Sequence, residues 1–170
     1  MKKLSLIFAV LVYLVLLTAC NDKAPLIEIE AKVSPVSDEE YRKIGATGDL
    51  IEPKQEDFKI FEFNFNMEHT DSVKERKIEM YKFENLPQVL NGIDDITRFW
   101  NGGGYLQDNE SEDFATYHYA VVFYTKGLND DDIRKAFINE KITVSWTNNK
   151  NEQVEKEYNI SNLIEFSSNN

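Results

Sequence analysis

Between Phe58 and Thr125 the chain returns repeatedly to one pattern, apolar and polar side chains in alternation. Phe61, Phe63, Phe65 and Met67 alternate with Glu62, Asn64 and Asn66. Successive side chains of an extended backbone point to opposite faces, so this spacing gives a strand with one apolar face. Phe58 and Ile60 fall on the opposite parity, which predicts either a β-bulge between Ile60 and Phe61 or a strand covered on both faces. Ile78 and Met80, followed by Tyr81 and Phe83, repeat that change of phase. The polar turn from Glu68 to Val73 lies between the two segments, and a hairpin is the expected outcome.

Further segments read the same way. Residues 115–125 place Tyr117, Tyr119, Val121 and Phe123 on one face and His118, Ala120, Val122 and Tyr124 on the other, as in a strand packed on both sides. Ile142, Val144 and Trp146 alternate with Thr143, Ser145 and Thr147, and a turn at Asn148–Asn151 leads to a returning strand through Val154, Tyr158 and Ile160. A first strand is expected at 26–33 and a last short one at 163–166. Helical signals are few. Ser37 and Glu40 form a capping-box pair before a short helix that stops at Gly45. Asn129 or Asp130 caps another at about 131–139. Ile93, Ile96 and Trp100 stand at helical spacing, with Asp94 and Asp95 at the start, and predict a helical turn or two ending at Gly102. Many short strands joined by short turns point to a mainly β chain, an antiparallel immunoglobulin-like β-sandwich with one or two short helices. The paired cysteines of antibody domains are missing, so the likeness is architectural.

The N-terminus carries a different signal. Lys2 and Lys3 precede an apolar run, Leu4 to Leu17, which is shorter than the roughly 20 residues a membrane span requires. It ends in Leu17-Thr18-Ala19-Cys20. These residues resemble the lipobox of bacterial lipoprotein precursors. The resemblance implies diacylglycerol on the Cys20 sulfur and cleavage before Cys20, and it covers the leader alone. The expected division is a signal peptide over 1–19, a lipid-anchored tether over 20–56 with a possible first strand and short helix, a sandwich over 57–166 and a tail over 167–170. The expected location is the extracytoplasmic face of the cell membrane. The abundance of Lys, Asn and Ile hints at an AT-rich genome and leans toward a Gram-positive source.

Charge and composition narrow the function. The net charge is −11, and loss of Lys2 and Lys3 makes it −13. So acidic a chain lacks the basic footprint that nucleic acid requires. Charge alone does not hold it on anionic lipid or wall polymer either. Cys20 is the single cysteine, so a chain cut there holds no disulfide, thiolate nucleophile or cysteine zinc site in its folded part.

The most unusual stretch is Phe99-Trp100-Asn101-Gly102-Gly103-Gly104-Tyr105. Its glycines allow close approach of backbone to a ligand and its aromatics offer a flat platform. The plainer reading is a tight turn beside a core tryptophan. Asp108, Glu110, Glu112 and Asp113, or Asp130, Asp131 and Asp132, offer oxygens of the kind Ca²⁺ takes, without matching the twelve-residue calcium loop. The plainer readings are a solvated loop and a helix start. His69 and His118 are the two histidines and lie in separate segments. The nucleophile elbow, the phosphate-binding loop and the Ser-x-x-Lys pattern are all absent, and Ser72-Val73-Lys74 is one residue short of the last. The expected function is therefore a non-enzymatic protein- or peptide-binding module of the cell envelope, with no cofactor and no metal. Its candidate binding loop is Phe99–Tyr105, and its partners are the membrane, through the lipid, and an unidentified envelope protein or peptide. The alternative is a lipoprotein that binds an ion or small ligand, for example Ca²⁺.

Overall fold

The computed structural model describes residues 23–45, 50–80, 85–94 and 96–167. Among the described residues eight strands fall into two sheets. The larger holds β1 (Leu26–Pro35), β2 (Phe58–Glu68), β4 (Phe99–Gln107), β5 (Phe114–Tyr124) and β8 (Ile164–Phe166), in the order β4-β5-β2-β1-β8. The smaller holds β3 (Lys74–Glu79), β6 (Lys141–Thr147) and β7 (Gln153–Asn159), in the order β3-β6-β7. Every pairing is antiparallel except that of β1 with β8. The short helices are α1 (Asp38–Ile44), α2 (Leu86–Asn91), α3 (Asp130–Ala136) and α4 (Ile160–Leu163). The chain is mainly β, as its alternation predicts.

Register explains the burial. Phe61, Phe63, Phe65 and Met67 stand opposite Val121, Tyr119, Tyr117 and Ala115, so all of them share the inner face of the larger sheet. That face packs against Ile142, Val144 and Trp146 of β6, Leu86 and Leu90 of α2, and Ile133 and Phe137 at α3. The Phe61 and Phe137 rings stack with centroids 4.8 Å apart.

The ladder from Phe58–Tyr124 to Glu68–Phe114 runs without a shift, so β2 carries no bulge at Ile60. The phase change has the other expected cause. Phe58, Ile60, Val122 and Tyr124 lie on the outer face, where Val36, Tyr41 and Ile44 cover them in a second, smaller core. Helix α1 holds that cover in place. The Glu40 N–H donates to Ser37 Oγ at 3.2 Å, the Ser37 N–H donates to Glu40 Oε2 at 2.6 Å, and Gly45 ends the helix at φ 73°.

Several expectations are corrected. Strands β2 and β3 do not form a hairpin, because β1 and β5 occupy both edges of β2 and β3 crosses to pair with β6. The bulge of β3 falls between Lys74 and Lys77, while Tyr81 and Phe83 lie outside the described residues. The first strand stands where expected, but β1 pairs with β2 along all of its length, so the folded unit takes in this strand and does not begin at 57. The helix predicted at Ile93–Trp100 forms earlier instead, as α2, with Pro87 in its first turn. Beyond it the Asn91 side chain accepts the N–H groups of Arg98 and Phe99 at 2.7 and 2.8 Å and turns the chain into β4.

Truncating a fully enclosed inner-face ring leaves a cavity the surrounding strands fill only in part. Phe61→Ala is expected to lower stability by about 3–5 kcal/mol, read as a lower urea midpoint at unchanged m-value. A loss below 1 kcal/mol would contradict this packing.

Candidate functional site

The aromatic–glycine segment is an edge strand and not a loop. Gly102, Gly103 and Gly104 pair with Val121, Ala120 and Tyr119, and a bulge separates Phe99 from Asn101. The bulge divides the segment by role. Phe99 packs on the main core and Trp100 on the smaller one. Trp100 Nε1–H donates to the Ile44 carbonyl at 2.8 Å, and its ring meets Phe58 edge-on at 5.8 Å. Both are spent on packing. Asn101 to Gln107 are exposed, with Tyr105 at 62% and Leu106 at 70%.

The glycines serve the approach of β4 to its own neighbour. A Cβ on Gly104 would run into the His118 carbonyl oxygen and come within 2.6 Å of the Tyr119 ring. One on Gly102 would stand 2.8 Å from the Ala120 oxygen and 2.6 Å from Val121 Cγ2. Side chains of β5 therefore lie across both positions. A Cβ on Gly103 meets nothing within 4 Å.

Four strands bound the two sheets, and three carry the devices that discourage further pairing. Strand β8 is three residues long. Strand β7 displays Glu155, Lys156 and Glu157. Strand β3 displays Lys74, Glu75 and Lys77, with a break at Glu75 where φ is 51°. Strand β4 runs Phe-Trp-Asn-Gly-Gly-Gly-Tyr-Leu-Gln, with no charge and no proline.

Two buried arginines fix the ends of this edge. Arg98, 1% exposed, donates from Nε and Nη2 to the Asp94 carboxylate at 2.7 and 2.5 Å and from Nη1 to the Tyr124 carbonyl at 2.9 Å. The guanidinium holds the Asp94 carboxyl below the usual aspartate range. At the other end Arg76 Nη2 donates to Asp108 Oδ1 at 2.5 Å and to the Asn109 carbonyl at 3.0 Å. Its Nη1 donates to the Glu112 and Phe114 carbonyls, both at 3.1 Å, and to His69 Nε2 at 2.9 Å. Tyr117 donates its hydroxyl proton to Asp108 Oδ2 at 2.5 Å. Burial first, and the Asp108 carboxylate second, push the Tyr117 phenol well above the ordinary tyrosine range.

The acids singled out in the sequence do not converge. Asp108 faces Arg76 and Tyr117, Glu112 accepts from Gln107 and Asn109, Asp130 pairs with Lys59 at 2.9 Å, and Asp132 accepts the backbone N–H of the N-cap residue Asn129. Among the described residues no group of three or more His, Cys, Asp or Glu stands where it could hold a metal ion. His69 belongs to the Arg76 cluster. His118 lies on the outer face of β5, its Nδ1 2.8 Å from Asn64 Oδ1 and its ring 5.4 Å from that of Tyr105. The leader and Cys20 lie outside the described residues. The two arginines were not singled out in the sequence. The one available signal was the parity of Arg76, two residues before Ile78 on a strand with an apolar inner face.

Comparison with protein-family models, with curated proteins and with solved structures found no match to this chain.

Two outcomes test this geometry. Gly104→Ala is expected to cost about 1–3 kcal/mol, because backbone must move. Gly103→Ala is expected to be neutral or to stabilise by about 0.4–1 kcal/mol through the unfolded chain. Equal effects in thermal melts would refute the close approach. As pH rises past 10.0 the unfolded chain ionises Tyr117 while the folded chain keeps it protonated, so stability falls. Tyr117→Phe is expected to flatten that fall in urea midpoints measured from pH 9 to 11, and an identical slope in both proteins would count against the Asp108 contact.

Proposed function

We propose that this protein is a lipid-anchored module on the extracytoplasmic face of the cell membrane that binds an extended segment of another envelope protein along β4, without catalysing a reaction. The observation that carries the proposal is the contrast among sheet edges. A strand end-to-end free of charge and proline presents unpaired N–H and C=O groups, and such an edge is a template for one more strand. In this chain β3, β7 and β8 are guarded and β4 is open. Its exposed span, Asn101–Gln107, is long enough for several main-chain hydrogen bonds, while Arg98 and Arg76 hold its two ends rigid. A preformed edge reduces the ordering cost of binding.

Support for the anchor is the leader ending in Leu17-Thr18-Ala19-Cys20. No helix among the described residues is long and apolar enough to cross a membrane. Support for an immunoglobulin-like sandwich, taken broadly, is the pair of sheets of short, mostly antiparallel strands around a shared core. The parallel β1–β8 pair is a particular of this chain.

The test is photo-cross-linking in living cells, with the cross-linker at Gln107 of the full-length protein. One recurrent protein trapped through this position is the expected result. Installing the guard of the other edges, as Gly103→Lys with Leu106→Lys, is expected to abolish trapping while the melting temperature stays within a few degrees. Trapping no greater than that by an unrelated lipoprotein, or trapping indifferent to the two lysines, would refute the proposal.

A further inference from the structure

Resting on that reading, we infer that the segment added to β4 lays an aromatic side chain over Gly103 and is basic at the end that meets the 108–113 loop. The first half follows from the outer face of the sheet. Asn101, Gly103, Tyr105 and Gln107 share that face with their partners Val122, Ala120, His118 and Thr116. Gly103 and Ala120 are adjacent, so two neighbouring positions in mid-face have almost no side chain. The Tyr105 and His118 rings, 5.4 Å apart, border them on one side. Val122 and Trp100, packed in the smaller core, border them on the other. The result is a hollow floored by backbone.

The molecule shows how such a hollow is filled. On the opposite face Gly104 is crossed by the Tyr119 ring, and Gly102 by the Val121 side chain, each from the adjacent strand. An aromatic on a neighbouring strand characteristically covers a strand glycine. Gly103 is the glycine of the three over which nothing lies. A strand added about 4.8 Å beyond β4 places one side chain directly beside it. An aromatic ring there reaches over Gly103 toward Ala120 and meets the edge of Tyr105.

The second half follows from charge. Strand β4 runs at Gln107 into a loop where Glu110 and Asp113 are exposed, with neither in an ion pair among the described residues. Asp108 and Glu112 add to the field there, the first offset by Arg76. Antiparallel addition forms the slightly stronger ladder, and it sets the N-terminal end of the segment against this loop. A second copy of the chain fits poorly. Its own β4 is flanked by the same acids, and each molecule carries a net charge of −11, so the two copies repel.

The experiment measures fluorescence anisotropy of labelled nine-residue threonine–valine peptides with the full-length protein in detergent. The reference peptide has a central tyrosine and two N-terminal lysines. Replacing the tyrosine by alanine is expected to weaken binding by between about twofold and tenfold. Replacing the lysines by glutamates is expected to weaken it as well, more at low salt. Gly103→Val puts a side chain into the hollow at a position where a Cβ meets nothing within 4 Å, and is expected to erase the preference for tyrosine over alanine while the peptide still binds. Glu110→Lys with Asp113→Lys is expected to reverse the lysine–glutamate preference. All peptides binding equally, with binding abolished by Gly103→Lys and Leu106→Lys, would overturn this inference and leave the strand-addition reading standing. Peptide binding unaffected by those two lysines would overturn that reading itself. Concentration-dependent dimerisation through β4, seen by sedimentation and uncompeted by peptide, would make a second copy the occupant and overturn the inference.

Discussion

The fold turns on the enclosure of β2. Its backbone is paired along both edges, with β1 on one side and β5 on the other, and Phe61, Phe63, Phe65 and Met67 on its inner face are buried. A strand so enclosed has no edge to give to the segment that follows it in sequence. Strand β3 must leave the sheet, and the second sheet exists because of that departure. The same enclosure pushes the remaining pairing sites outward. Strand β8 closes beside β1, β4 closes beside β5, and these two become the edges of the larger sheet.

The enclosure also explains why the outer face is apolar at one end and polar elsewhere. Phe58, Val122 and Tyr124 lie under α1 and its flanking segments, whereas Glu62, Asn64 and His118 on the same face do not. A short helix with a good capping box supplies the cover. Trp100 extends it across the start of β4 and donates its indole N–H to the last residue of α1. The smaller core thus links the beginning of the domain to the beginning of its open edge.

Much of this was legible in the sequence, and the exceptions have physical reasons. Alternation marks β2, β5, β6 and β7, since period-two burial leaves a direct trace in residues such as Phe61 to Met67, although β7 stops at Asn159 and Ile160, expected on it, opens α4. The caps of α1 and α3 were legible because Ser37, Glu40 and Asn129 bond within their own turn. Pairing was not legible: the turn after Glu68 looks like a hairpin turn, and only competition from β1 and β5 for the edges of β2 makes it a crossing. The segment from Ile93 to Trp100 has helical spacing by coincidence. Asp94 holds Arg98, and the backbone beyond follows the side chain of Asn91 into a strand. The glycines at 102–104 stand out in the sequence, yet two of them answer to carbonyl oxygens and side chains of β5, a partner that sequence order conceals. The role of Arg76 is hidden in the sequence because its acceptors are mostly backbone carbonyls, which leave no mark on residue type.

The position of β1 has a mechanical meaning. Its first residue, Leu26, is also where the chain enters the sheet, and from there ten residues run in register with β2 from Leu26–Glu68 to Pro35–Lys59. A pull on the N-terminal segment along the strand loads all of those rungs at once, in shear, and does not peel them one after another. Force reaching the domain from that side is shared across the middle of the larger sheet, two strands away from β4.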